Sequence, residues 1–273
     1  MKAARAVEIT PETGAERARE EGAERARDEG AERALRVQLA AAYRIADHLG
    51  WSELIYTHIS LRVPGPAHHF LINPYGLRFD EVTASNLVKI DADGKNVEPS
   101  PYQANEAGFV IHGAVHAARA DDASCVFHTH TLAGMAVSAQ AGGLQPVHMY
   151  SHNFHGKVGY HEFEGPAMNL GERERLVASL GNHPVLILRN HGLLTVGRTV
   201  PEAFLLMWRL ERACQIQLAA QSAKLHLPPE EVCAASARMG DEFLTGRGAV
   251  GLGELEFAAL ERIIERKDPS YRD

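Results

Sequence analysis

Leu35, Leu39, Ala42, Tyr43, Ala46 and Leu49 recur at three- and four-residue spacing and stop at Gly50, which predicts an amphipathic helix. Strand-like segments follow: Thr57 to Val63, broken by Pro64-Gly65-Pro66, then Phe70 to Ile72 and Leu87 to Ile90. Asp91-Ala-Asp-Gly94 reads as a hairpin turn. Residues 105–119 return to the helical period, with Phe109, Ile111, His112, Val115 and His116 as inner positions. The apolar run Ala123 to Phe127 predicts a strand, followed by a helix over 131–140, a short helix from Glu172 to Leu180 and a second apolar strand from Val185 to Leu188. Pro201 opens a long helix whose Phe204, Met207, Leu210, Cys214 and Leu218 form a core stripe, and a Pro228-Pro229 break precedes a last helix over 254–266. This order describes one α/β domain with a mostly antiparallel sheet.

The pattern changes at the N-terminus. Residues 14–34 repeat Gly-Ala-Glu-Arg-Ala with an eight-residue period; no large apolar residue recurs on one face, and a glycine interrupts every octad. Residues 1–34 are therefore expected to form a flexible Ala/Glu/Arg tail, with the folded domain spanning 35–273.

Composition narrows the function classes. A chain of 273 residues, 45% hydrophobic and 23% charged, suits a soluble globular domain with a large core. A formal charge of −7 and no basic stripe argue against a nucleic-acid partner, while leaving room for a small anionic substrate. No apolar run approaches the roughly 18 residues that span a bilayer, and the N-terminus lacks the apolar core of a secretory signal. The three cysteines, Cys125, Cys214 and Cys233, are odd in number and not spaced for metal, so a reducing cytoplasm is expected.

The chemistry lies in the histidines. His128-Thr-His130 closes the strand begun at Ala123, and alternation along a strand sends both imidazoles to one side while Thr129 points away. A third imidazole, His191, follows the second apolar strand and precedes Gly192. Three nitrogen ligands with an open position are the pattern of a catalytic metal. Spacing alone leaves metal binding and plain burial equally open. His112 and His116 share one helix face, and His152 and His155 share a polar loop; either pair supplies a fourth ligand, a proton carrier, or nothing. His48, His183 and His226 are read as ordinary hydrogen-bonded residues, and Arg189 as holding local structure, with contact to a substrate anion as the alternative.

Ala107-Gly-Phe-Val-Ile-His112, Cys125-Val-Phe-His-Thr-His130 and Leu188-Arg-Asn-His-Gly-Leu-Leu-Thr-Val-Gly197 together resemble the class II aldolase/adducin family. Ile59 to Val63, Leu71 to Gly76, Phe79 to Thr83 and Leu87 to Asp91 extend the likeness over about residues 35 to 225. The resemblance implies a three-layer α/β/α fold around a central, mainly antiparallel sheet, commonly assembled as a tetramer. It implies a divalent metal, usually zinc, on His128, His130 and His191; imidazole suits Mn2+ and Fe2+ as well.

Departures accompany the resemblance. Sugar-phosphate aldolases of the family carry Ser-Ser-Glu before the helix histidine, with the glutamate as metal ligand and acid/base. Aligning on His112 puts Ala107 and Gly108 at the last two positions, leaving Glu106 two residues early as a substitute. The family's Gly-Asn is Thr57-His58 here, and its Ser-Gly turn is Tyr75-Gly76, so His58, Tyr75, Gly76 and His112 become the candidate substrate contacts. Related aldolases deliver a proton from a tyrosine in a loop or C-terminal region, for which Tyr150 and Tyr271 are the candidates. The expected function is a metal-dependent lyase breaking a C–C bond, by aldol cleavage or decarboxylation, in a small hydroxy or oxo acid or carbonyl compound. The alternatives are a non-catalytic adducin-like scaffold and a metal-dependent oxygenase.

Overall fold

The computed structural model describes residues 14–65, 68–165, 171–222, 224–245 and 250–273. Helix α1 (Gly14–His48) leads into β1 (His58–Arg62), β2 (Phe70–Ile72) and β3 (Val88–Ile90). Then come α2 (Glu106–Ala118), β4 (Cys125–Thr129), α3 (Leu132–Ser138), α4 (Met149–His152), β5 (Val158–His161) and α5 (Glu172–Leu180). The sequence continues through β6 (Val185–Leu188), β7 (Gly192–Gly197), α6 (Val200–Ala220), α7 (Glu230–Thr245) and α8 (Glu254–Lys267).

One seven-stranded sheet has the order β3-β2-β1-β4-β7-β6-β5. Every neighbouring pair is antiparallel except β5 with β6. Alternation along the strands divides the core in two. Ile59, Leu61, Phe127, Ile187 and Leu193 pack with α1 and α6 residues such as Leu39, Tyr43, Phe204 and Met207. On the other face Val126, Leu186, Leu188, Leu194 and Val196 pack with Ile111 and Val115 of α2 and Leu176 and Leu180 of α5. These two helical layers around one mainly antiparallel sheet make the expected α/β/α architecture. The parity that buries Ile59 and Phe127 on the α1 side turns His58, Ser60 and His128 toward α2.

Several elements depart from the sequence expectation, among them β7, which was not predicted, and α4, which places His152 on a short helix rather than in a loop. Helix α1 begins at Gly14, within the segment expected as a tail, and residues 1–13 of that segment lie outside the described residues. Its Glu32 receives Lys89 Nζ at 2.6 Å, and Arg33 donates to the Arg272 carbonyl, so contacts with the body of the fold begin before residue 35. Strand β5 was not predicted; its four residues acquire strand form by pairing with β6, a partner that local pattern does not reveal. Helix α7 was not predicted either, although its residues are amphipathic; Cys233 and Ala237 are buried on it.

Candidate metal centre

Strand β4 delivers His128 in Cα register with Leu194 of β7 and His58 of β1. His130 stands just past the end of β4, and His191 just before β7, in a turn where Asn190 takes a left-handed φ of 55°. The ring centroids of His128, His130 and His191 lie 4.7 to 4.9 Å apart, and one nitrogen from each falls within 4.8 Å of the others. His128 is buried and the other two are half-buried, so the group opens to solvent on one side. Gly192 makes this approach feasible: a Cβ there would meet the Thr129 carbonyl and come within 3.1 Å of His130 Cδ2 and 3.4 Å of His128 Cε1.

Proton bookkeeping tests whether these residues fit a cation. His128 Nδ1 lies 2.9 Å from the Leu193 carbonyl, which only accepts, so Nδ1 carries the hydrogen and Nε2 a lone pair. His130 Nδ1 lies 2.5 Å from Glu53 Oε2, and the same argument leaves its Nε2 bare. The two Nε2 atoms face each other at 2.9 Å. Two lone pairs that close repel unless a cation lies between or beside them, so the donor set fits a divalent metal with neutral imidazole ligands. Burial holds His128 well below the ordinary imidazole range, with His191 and His130 adding to the effect. His191 is pushed down to about 4, first by burial and then by His130.

A second histidine group adjoins the first. His116 Nδ1 donates to the Ala123 carbonyl at 2.8 Å, which leaves Nε2 to accept from Ser60 Oγ at 2.7 Å. Ser60 has one hydroxyl hydrogen, so it accepts from His112 Nδ1 at 2.6 Å. His112 Nε2 therefore accepts from His58 Nδ1 at 2.9 Å, and His58 Nε2 is left with a lone pair. Burial drives His58 and His116 down to about 3 and His112 well below its ordinary range, so the chain stays neutral. The His58 ring lies 5.2 Å from that of His128, which joins the two groups. As a neutral acceptor, His58 Nε2 can take a hydrogen bond from a hydroxyl but cannot donate one to a carboxylate.

Gly108 explains why His58 fits there. An ideal Cβ at 108 would lie 2.5 Å from His58 Nε2, so the imidazole occupies the space that any other side chain on α2 would need. Gly108 and His58, two departures from the pattern that the resemblance implies, thus meet in one place. Neither departure alone signals it, because 50 residues separate them.

The remaining sequence candidates are dispersed. Tyr75 is exposed beside Gly76, and its N–H donates to the Gln103 carbonyl at 2.9 Å. Tyr150 on α4 packs its ring against Trp208 at 5.5 Å. Buried Tyr271 donates to Glu265 Oε2 at 2.6 Å on α8 and lies 3.3 Å from Glu261 Oε1. No described contact joins either tyrosine to the three histidines. Glu106 is the first residue of α2, and its side chain lies outside the described residues. Arg189 lies 4.4 Å over the Tyr160 ring and donates to the Gln140 carbonyl at 2.7 Å. Glu53 was not foreseen; a lone acidic residue in an irregular loop carries no sequence signal for its contact with His130.

Comparisons with known proteins agree with this architecture. The family model described as the class II aldolase and adducin N-terminal domain matches residues 37–218. A Caulobacter vibrioides protein provisionally named a class 2 aldolase is 48% identical over 87% of this chain and 91% of its own length. Alpha-adducin of Rattus norvegicus is 42% identical over 85% of this chain, which corresponds to 33% of that longer protein. The crystal structure of an aldolase II superfamily protein from Pseudomonas syringae superposes with a TM-score of 0.82 at 52% identity, covering 89% of this chain and 96% of that one. L-fuculose 1-phosphate aldolase from Glaciozyma antarctica PI12 gives a TM-score of 0.78 at 29% identity, covering 90% and 94%. This chain belongs to the class II aldolase and adducin family.

Proposed function

We propose that this protein is a divalent-metal-dependent lyase that cleaves a C–C bond, by aldol cleavage or decarboxylation, in a small hydroxy or oxo acid or carbonyl compound. The observation that supports it is the pair of bare Nε2 atoms on His128 and His130, held 2.9 Å apart by partners on their other nitrogens. His128, His130 and His191 would hold the metal; zinc is preferred, and Mn2+ and Fe2+ are alternatives for the same imidazoles. When bound, the ion acts as a Lewis acid for the negative charge left as the bond breaks. Three neutral ligands leave it its full charge, which favours an anionic substrate.

The chain's own groups orient that substrate. His58 Nε2 accepts from a substrate hydroxyl, and His112, Ser60 and His116 lock its tautomer. Tyr75 and Gly76 are candidates for the far side of the substrate. For proton delivery the candidates are Tyr150 and Glu106; Tyr271 would first have to release Glu265. We also assign the protein to the cytoplasm as a homotetramer. The three buried free cysteines support a reducing compartment, and light scattering tests the assembly.

Similarity to alpha-adducin favours a second reading, a non-catalytic scaffold that keeps the fold. An oxygenase would require iron on the same histidines. Metal analysis of the native protein and of the His128→Ala and His191→Ala double variant separates these, followed by a screen of 2-oxo and hydroxy-aromatic acids for carbon dioxide or aldehyde release. Stoichiometric metal lost in the variant, with turnover by the native protein alone, is the expected result. Metal-free native protein refutes the lyase, and bound metal without turnover favours the scaffold.

A further inference from the structure

The loop from Trp51 to Thr57 joins α1 to β1 and adopts a shape that its residues resist. Leu54 has φ 49° and Thr57 φ 65°, the left-handed region, which is unfavourable for a β-branched threonine. The Tyr56 N–H closes the turn on the Glu53 carbonyl at 2.9 Å. Such a backbone persists only where its surroundings hold it. One end is held by the buried Trp51 ring, packed 6.2 Å from Phe127 and 5.9 Å from Phe204. The other end continues into β1 at His58, in register with His128. Between these anchors the turn brings Glu53 Oε2 to His130 Nδ1.

The three histidines differ in how their rings are held. His128 lies within the ladder and is oriented by the Leu193 carbonyl. Among the described residues His191 makes no side-chain hydrogen bond, and its ring is held by packing against His128 and His130. His130 has left the strand, because the β4 ladder ends at Thr129. The sheet therefore does not fix its ring, and the only described hydrogen-bond partner of its Nδ1 is Glu53.

We infer that Glu53 is the positioning residue of the metal face: its carboxylate holds His130 in the Nδ1–H tautomer and aims Nε2 at the ion. This inference rests on the metal reading above. Carboxylates placed behind ligating imidazoles typically change metal affinity about 10- to 100-fold when removed. A purely structural ion pair would instead affect the stability of the metal-free protein and leave affinity unchanged.

The test uses the full chain as Glu53→Ala and Glu53→Gln. Zinc affinity is measured by competition with a chromophoric chelator, and the visible absorption of the cobalt(II) form reports ligand geometry. Glu53→Ala should weaken zinc binding about 10- to 100-fold and shift the cobalt bands. Glu53→Gln, which keeps an accepting oxygen without the charge, should fall between Glu53→Ala and native. Circular dichroism and the unfolding temperature of both metal-free variants check that the fold is intact. If both variants bind zinc within twofold of native and give native cobalt spectra, the role of Glu53 is refuted while the metal reading stands. Native protein that takes up no zinc refutes both.

Discussion

Two groups of histidines lie side by side in this protein and are treated in opposite ways. In the group formed by His58, His112 and His116, protons are passed nitrogen to acceptor from His58 inward to the Ala123 carbonyl. In the group of His128, His130 and His191, two outer nitrogens are satisfied and the inner ones are left facing each other. The first is a hydrogen-bonded chain that consolidates α2 against the sheet and leaves one lone pair, on His58 Nε2, at its outer end. The second is an open set of lone pairs whose repulsion needs a cation. Residue type and burial do not separate a binding cluster from a structural one; the acceptor or donor behind each ring does.

Substitutions that affect one group and spare the other would sharpen this contrast. The largest effect expected is on metal binding in His191→Ala. Zinc retention after dialysis should be abolished, while the stability of the metal-free form in urea should change by no more than about 1 kcal/mol, since a half-buried ring without hydrogen bonds is removed. A large loss of metal-free stability would break the contrast.

Ser60→Ala is the converse. It strands a donor on His112 and an acceptor on His116, each buried and each worth about 1–3 kcal/mol when unpaired. Urea unfolding should show that loss with zinc stoichiometry retained. Equal stability would mean that water replaces the hydroxyl.

Acid should act in the same direction on the metal-free protein. His58 and His116 have folded-state values depressed to about 3 from 6.5, so the unfolded chain binds more protons between those limits. Stability is complete above about pH 6.5, declines as pH falls, and the contribution is lost by about pH 3. At pH 5 each histidine should have cost about 2 kcal/mol relative to pH 7. A flat stability profile from pH 7 to 5 would show that the buried chain does not exist.

A smaller effect is expected from Gly108→Ala. The new methyl meets the His58 ring, and overpacking of about 1–3 kcal/mol outweighs the gain of up to about 1 kcal/mol from better helix propensity. Adding His58→Ala should restore part of the loss, a coupling that a double-mutant cycle measures.

The sequence made one of these groups more legible than the other. His128 and His130 follow from strand alternation, and His191 from its place after a second apolar strand, so the open group is local in pattern. The helix pair His112 and His116 was visible as a shared face, but its partners His58 and Ser60 lie more than 50 residues away, on a strand that meets α2 only in the folded state. Glu53 and β5 were missed for the same reason: each acquires its role from a distant element. Alternation was readable within β4, but the pairing register among strands was not, because strands buried on both faces read as continuous apolar runs. The start of α1 was not, because a Gly/Ala/Glu/Arg repeat supports helix and coil alike.

Gly192 couples the sheet to the histidine trio. Its missing side chain leaves the space into which the Thr129 carbonyl and the His130 ring project, with His128 Cε1 at contact distance. Any side chain there would meet the β4 backbone first, at the rung where Thr129 pairs with Leu193, and press on His130 next. The turn that carries His191 would have to draw back from β4, so the spacing of two strand ends and the spacing of three imidazoles are set by the same absent atom.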